Sequence, residues 1–135
     1  MPKTYLDNNE TRDERYARGK ALVERMGSVK NVLSPLDDVA PDLGRLSLEF
    51  SVADILERPG LDLRTRMLCT IAALTAKGTA MPELKGQIGS ALRLGCTREE
   101  ITEAIMQMCV WADFPAAIEG LMAAKDVFAE EDGNA

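Results

Sequence analysis

The chain has 135 residues, of which 46% are hydrophobic and 28% charged, and its formal net charge is −6 at pH 7. This length suits a single domain with a buried core. The negative charge disfavours nucleic acid, because phosphate binding requires clustered positive charge. The N-terminus lacks an apolar signal segment and no stretch is apolar enough for a membrane span, so we expect a cytoplasmic protein without membrane partners.

The sequence predicts helices throughout, because no segment alternates apolar and polar residues between hairpin turns. Thr11 and Glu14 form a capping box, which begins a helix that Gly27 ends. From Asp42 to Ala53, apolar residues recur at helical spacing and predict one buried face. The members of this face are Leu43, Leu46, Phe50 and Ala53.

Asp62 can cap the next helix, which is apolar on most sides, as is typical of a helix central in its domain. Its apolar residues are Met67, Leu68, Ile71, Ala72 and Leu74. Pro82 opens a further helix that ends at Gly95. Gly86 and Gly89 inside this helix each cost about 1 kcal/mol relative to alanine, so we expect them to mark a close approach to a neighbouring helix.

Thr97 and Glu100 form a second capping box. The apolar stripe behind it consists of Ile101, Ala104, Ile105, Met108, Cys109 and Ala112. After Phe114-Pro115, a last helix to about Ala129 presents Ile118, Leu121, Met122 and Phe128. A chain this short does not cover so much apolar surface by itself, and we therefore expect a homo-oligomer.

Five motifs follow one another in an order and spacing that resemble a known family. They are Arg58-Pro59-Gly60-Leu61-Asp62, Arg64-Thr65-Arg66-Met67-Leu68, Pro82-Glu83-Leu84-Lys85-Gly86-Gln87, Gly95-Cys96-Thr97-Arg98-Glu99-Glu100-Ile101 and Trp111-Ala112-Asp113-Phe114-Pro115-Ala116-Ala117. Together they resemble the carboxymuconolactone decarboxylase family, small all-helical proteins related to the AhpD-type peroxidases. The resemblance implies an all-α, AhpD-like bundle of about six to seven helices that assembles as a trimer or hexamer. It also implies a single domain over residues 1–135, with a core at 40–129 and an N-terminal helical arm at 8–39.

Glu83 and Gln87 lie four residues apart on one helix and therefore share a face. In the resembled family this pair is glutamate and histidine, lining a small acid-binding pocket, which makes Glu83 the candidate catalytic group for proton transfer. Gln87 cannot carry a proton, but it can hydrogen-bond to a substrate oxygen. Alternatively, Glu83 only complements the helix dipole and Gln87 is structural.

Arginines are common in the family at the start of the central helix, where Arg66 could clamp a substrate carboxylate through two hydrogen bonds. Alternatively, Arg66 lies at a solvated helix end or forms an intersubunit salt bridge. For Arg64, which lies two residues earlier, we favour this second interpretation. Trp111 either walls the pocket or, as we favour, packs in the core. Asp113 either adds a carboxylate to the site or, as we favour, caps the last helix.

The related peroxidases use a Cys-x-x-Cys pair, and the positions that would match it here, near Ala80 and at Glu83, are not cysteine. We therefore expect no dithiol peroxidase activity, and the three scattered cysteines suit free thiols in a reducing compartment. Cys69 and Cys109 lie in apolar stripes and are expected in the core, whereas Cys96 at a helix–turn junction could be exposed. The sequence contains no cluster of cysteine and histidine residues, so it does not predict a zinc site.

The resemblance implies a decarboxylase-like lyase that acts on a small cyclic or lactone carboxylic acid by cofactor-free proton transfer. The alternative is a non-catalytic or repurposed helical oligomer, a scaffold or binding protein that lost the proton shuttle, because the chain has no histidine.

Overall fold

The computed structural model describes residues 1–27 and 34–133, and every regular element in these ranges is helical. The predicted all-α class is therefore confirmed. Contacts divide the chain into two compact units, Met1–Leu63 and Arg64–Ala135. The first unit contains the predicted arm together with residues 40–63 of the predicted core. In the described part of the chain, no helix is long and apolar enough to cross a membrane.

Helix α1, Arg12–Arg25, begins and ends where the sequence predicts. The Glu14 amide donates to the Thr11 hydroxyl at 3.2 Å, and the Thr11 amide donates to the Glu14 carboxylate at 2.7 Å. Gly27 follows the helix with φ of 74°, a left-handed conformation that glycine adopts without strain. The capping box and the glycine stop are both confirmed.

The first unit continues with α2, Pro41–Leu46, which runs directly into a π-helix, Ser47–Leu56. Hydrogen bonds in a π-helix span five residues rather than four, as in the 3.1 Å bond from the Glu57 amide to the Val52 carbonyl. Residues that share one face are therefore spaced more widely than in an α-helix.

The predicted buried face is wrong, and the change of period accounts only for its part within the π-helix. Leu43, Leu46 and Phe50 are 42%, 50% and 63% exposed, whereas Ala53 is buried as expected. The other buried residues of the two helices are Gly44, Glu49 and Val52. The helical pattern of the sequence does not predict a buried glutamate in this position.

Helix α1 packs against the π-helix with backbone-to-backbone contact at Gly19. A Cβ atom placed on Gly19 would collide with the carbonyl oxygen of Leu48. Any side chain at position 19 is therefore excluded by the backbone of Leu48, because backbone cannot move aside as a flexible side chain can.

Arginines of α1 bind carboxylates around the π-helix beside this contact. Arg18 donates to the Ala53 carbonyl and to the Glu57 carboxylate, both at 2.6 Å, and to Glu10 at 2.8 Å. Arg15 lies 3.3 Å from the Asp54 carboxylate. The sequence carries a signal for this cluster, because Arg12, Arg15 and Arg18 recur every three residues and lie on one side of the helix.

Glu49 is 5% exposed and accepts hydrogen bonds from Arg12 at 3.1 Å and from Arg45 at 2.5 Å. Burial by itself would raise the pKa of Glu49, but the bonds from Arg45 and Arg12 outweigh it and lower this pKa below its ordinary value of 4.5. A hydrogen bond from Arg18 similarly lowers the pKa of Glu10. Both carboxylates are therefore held in their charged form by arginines of α1 and α2.

The second unit is built from α3, Leu63–Lys77, which starts at the unit boundary, and from four further helices. These are α4, Met81–Arg93; α5, Arg98–Met106; α6, Met108–Trp111; and α7, Phe114–Gly133. Gly78 and Gly95 follow α3 and α4 with φ of 71° and 92°. The last helix extends beyond its predicted end at Ala129.

Helix α7 lies very close to α3 and α5. A Cβ atom on Gly120 would lie 2.8 Å from methyl groups of both Ile105 and Thr75. The inward face of α7 is accordingly small: Ala117, Gly120, Ala123, Ala124 and Val127. The predicted close approach at Gly86 and Gly89 is not found within the described chain, since a Cβ on Gly86 would meet nothing within 4 Å and one on Gly89 only an Arg93 nitrogen at 3.9 Å.

Replacing Gly19 by alanine should therefore destabilise the protein. We expect Gly19→Ala to lower the free energy of unfolding by about 1–3 kcal/mol, because the new methyl group displaces the backbone at Leu48. Gly86→Ala is the matched control, and it should raise the free energy of unfolding by up to about 1 kcal/mol through helix propensity. Chemical denaturation measures both. Equal stability of Gly19→Ala and the wild type would contradict the packing of α1 on the π-helix.

The lowered pKa values of Glu49 and Glu10 make the first unit sensitive to acid. A lowered folded-state pKa stabilises the protein above the unfolded pKa, and this stabilisation disappears as pH falls through the folded value. The free energy of unfolding should therefore decrease below about pH 5. Glu49→Gln should be less stable than the wild type at pH 7, and this difference should shrink toward pH 3.

The control for this experiment is Glu24→Gln, which removes an exposed charge of α1 that forms no ion pair with the described residues. Its stability should follow the wild type at every pH. A constant difference between Glu49→Gln and the wild type from pH 7 to pH 3 would argue against the proposed cause.

Candidate functional site

Helix α4 places Glu83 in its first turn and Gln87 one turn later. The Gln87 side-chain amide donates to the Glu83 carboxylate, with 3.0 Å between Nε2 and Oε1. Both side chains are half-buried, while Leu84 and Ile88 next to them are fully buried and anchor the helix in the core. The pair therefore lies at the border between the core face of α4 and its surface.

This hydrogen bond holds one oxygen of the Glu83 carboxylate next to the Gln87 amide. A glutamine amide carries two N–H groups and a carbonyl oxygen, and Glu83 occupies one of the N–H groups. The other N–H group and the carbonyl oxygen can bind a ligand beside the carboxylate. The arrangement combines a proton acceptor or donor with a fixed polar group on one helical face.

The two arginines at the start of α3 differ in their surroundings. Arg64 donates to Glu100 at 2.8 Å, and Glu100 also closes the capping box of α5 by accepting from the Thr97 amide at 2.8 Å. The Thr97 amide and then Arg64 lower the pKa of Glu100. Arg64 is exposed at the start of α3, as expected for a solvated helix end, and its ion pair with Glu100 joins α3 to α5 within one chain. Arg66 is half-buried in the first turn of α3.

The turn before α7 places its two candidate residues differently. The Asp113 carboxylate accepts from the Ala116 amide at 2.7 Å, so the capping interpretation is confirmed. Trp111 is 81% exposed, and the expectation that it packs in the core is wrong. The reason is the short helix α6, which turns Met108 inward and leaves the ring of Trp111 on the outside.

Trp111 is one of five exposed apolar residues that lie close together in the sequence at the junction of α6 and α7. These residues are each more than half exposed, and they are Val110, Trp111, Phe114, Ile118 and Met122. We call this set the α6–α7 surface. Phe114, Ile118 and Met122 recur every four residues along α7, which is the spacing of one helical face. Clustered exposed apolar residues of this kind usually mark an interaction site.

The cysteines are arranged almost opposite to expectation. Cys69 is exposed, Cys96 is buried and Cys109 is half-buried. The Cys96 thiol lies 3.6 Å from the Arg64 carbonyl oxygen, which explains how a residue at a helix–turn junction is buried against the start of α3. Within residues 1–27 and 34–133, no three His, Cys, Asp or Glu side chains are arranged to hold a metal ion.

Comparison with known proteins adds independent information on this chain. The model of the carboxymuconolactone decarboxylase family matches residues 41–126, a range that includes Glu83 and Gln87. The chain is 31% identical over 119 residues to a 4-carboxymuconolactone decarboxylase of Acinetobacter baylyi, covering 86% of this chain and 88% of that protein. It is also 38% identical over 98 residues to an uncharacterized 15.0 kDa protein from the nqo9–nqo10 intergenic region of Paracoccus denitrificans, covering 72% and 73%.

Proposed function

The chain belongs to the carboxymuconolactone decarboxylase family, and on this premise we propose that it decarboxylates a small cyclic or lactone carboxylic acid without a cofactor. The observation that carries this proposal is the hydrogen bond between Gln87 and Glu83 on a half-buried face of α4. The name of the Acinetobacter relative supplies the substrate class. It makes 4-carboxymuconolactone the first compound to test.

The proposed reaction needs an acid and two binding groups. The bond between the ring carbon and the carboxylate breaks, carbon dioxide leaves, and the electron pair passes into the conjugated lactone carbonyl. The resulting dienolate then takes up one proton, so that one proton is consumed for each carbon dioxide released. In this proposal Glu83 delivers that proton as a general acid and is reprotonated from water.

Gln87 and Arg66 supply the binding groups. Gln87 holds the Glu83 carboxyl group and offers its second N–H to the lactone oxygen, where negative charge develops. Arg66 binds the substrate carboxylate before it leaves. The proposal assigns no step to Asp113, whose carboxylate caps α7, or to Trp111, which is exposed in a single chain.

A second candidate function is a non-catalytic or repurposed scaffold of the same fold. The specific observation in its favour is that the chain contains no histidine, and the resemblance implies that Gln87 stands at the position of the family's histidine. A glutamine side chain does not titrate and cannot relay a proton. In this case the Glu83–Gln87 pair binds an acid without converting it.

Glu83→Gln should preserve the fold and remove the activity. General acid catalysis typically contributes about 10²–10⁴-fold, and a loss of that size in kcat is expected. Gln87→His restores the usual family pair and should maintain or increase the rate. Consumption of 4-carboxymuconolactone, followed by ultraviolet absorbance, measures these rates.

Glu99→Gln, on the exposed first turn of α5, is the control and should retain full activity. Full activity in Glu83→Gln would refute the catalytic assignment. A wild-type protein that binds cyclic acids but does not convert them would favour the scaffold.

We further propose that the protein is a homo-oligomer, a trimer or hexamer, in which the α6–α7 surface forms contacts between copies. Five apolar side chains within residues 110–122, two of them aromatic, are exposed in a single chain. Burial of aromatic residues dominates the energy of many interfaces. The family resemblance implies the ring-shaped assembly.

Ile118→Glu should lower the mass of this assembly, because a charge placed in an apolar interface remains without a partner. Light scattering at micromolar concentration measures the mass. Ala76→Glu adds the same charge at an exposed position of α3 and should leave the mass unchanged. A wild-type protein with the mass of a monomer would refute the proposed assembly.

A further inference from the structure

A groove of about 350 Å³ lies between α5 and the second half of α7, on residues to which the proposed reaction assigns no role. Its lining includes Thr102, Leu121, Ala124, Lys125, Phe128 and Asp132. The α7 members recur at three- and four-residue intervals and form a stripe roughly 16 Å long. The volume lies at the lower end of ligand pockets, which span roughly 300–1,000 Å³.

Arg98 fixes one end of this groove. Its guanidinium lies 5.1 Å from the centre of the Phe128 ring and donates to Asp132 at 2.7 Å and to the Phe128 carbonyl at 3.4 Å. The aromatic wall is therefore held in place before a ligand binds, which reduces the entropy lost on binding. The same contacts neutralise the carboxylate of Asp132, so that it does not repel an anion.

Two polar groups in the groove have no partner among the described residues. Neither the Lys125 ammonium nor the Thr102 hydroxyl forms a hydrogen bond or an ion pair with residues 1–27 or 34–133. With Asp132 paired to Arg98, Lys125 carries the remaining charge among the lining residues of the groove, and the Glu131 carboxylate lies near Arg98 at the far end. The remaining lining is apolar and partly aromatic.

We propose that this groove binds a monocarboxylic acid with an aliphatic or aromatic tail. The carboxylate binds Lys125 and accepts a hydrogen bond from Thr102, while the tail lies along Leu121, Ala124 and Phe128. Charge complementarity selects the acid over an uncharged molecule of the same shape. Neither Glu83 nor Gln87 lines the groove, so this site does not depend on the proposed reaction.

Octanoate is a suitable probe, and ligand-observed saturation-transfer NMR can measure its affinity. Because the groove is open and the ligand small, we expect a Kd of about 1 mM. Octanol, which keeps the tail, and acetate, which keeps the carboxylate, should both bind at least about fivefold more weakly. Equal binding of octanoate and octanol would overturn the proposed role of Lys125.

Lys125→Gln should weaken octanoate binding about five- to tenfold, since it removes a charge-assisted hydrogen bond. Lys77→Gln, at the exposed end of α3, is the matched control and should leave the affinity unchanged. Ala129→Leu adds bulk at the edge of the groove and should also weaken binding. Unchanged affinity in both Lys125→Gln and Ala129→Leu would refute the site.

Two further measurements distinguish octanoate binding in the groove from binding at the Glu83–Gln87 pair and from occupation of the groove by a second copy. Glu83→Gln should bind octanoate like the wild type, and a loss in that variant would place the acid at the proposed active site instead. Light scattering of Lys125→Gln and Ala129→Leu should give the wild-type mass. A lower mass would show that another copy of the chain occupies the groove, and the proposal would be wrong.

Discussion

The second unit depends on how closely α7 approaches its neighbours. At Gly120 the methyl groups of Ile105 and Thr75 occupy the space that a side chain would need. Only alanine, glycine and valine are buried along this face, so the large apolar residues of α7, such as Ile118, are displaced to the outside. One steric constraint thus produces a tightly packed core and an exposed apolar surface on the same helix.

The close approach of α7 to α3 and α5 also affects the groove beside α5 and the position of α4. Small side chains on α7 leave the groove beside α5 open at Ala124. The Lys85 ammonium of α4 donates to the Asp126 carboxylate of α7 at 2.7 Å. Helix α4 is therefore joined to α7 both by its buried apolar residues and by an ion pair at the surface. Through this packing, the helix that carries Glu83 has a fixed position in the unit.

The sequence is most informative where structure is local. Capping boxes, glycine stops and the shared face of Glu83 and Gln87 involve residues within one helical turn, and the sequence predicts each of them correctly. It does not predict the buried face of the segment after Pro41, where hydrogen bonds that span five residues replace the α-helical ones from Ser47 onward. Nothing in the local pattern distinguishes the two periods.

The remaining differences concern contacts between distant residues. The partner of Arg64 is Glu100, 36 residues away, and the burial of Cys96 depends on the same junction. The apolar character of Trp111 favours the core, yet a four-residue helix leaves this side chain exposed.

The π-helix also makes the first unit sensitive to length. Deleting one residue within Ser47–Leu56 would rotate the residues that follow about the helix axis relative to α1. Ala53 and Glu57 would then lose Arg18, so this segment tolerates exchange of residues better than insertion or deletion.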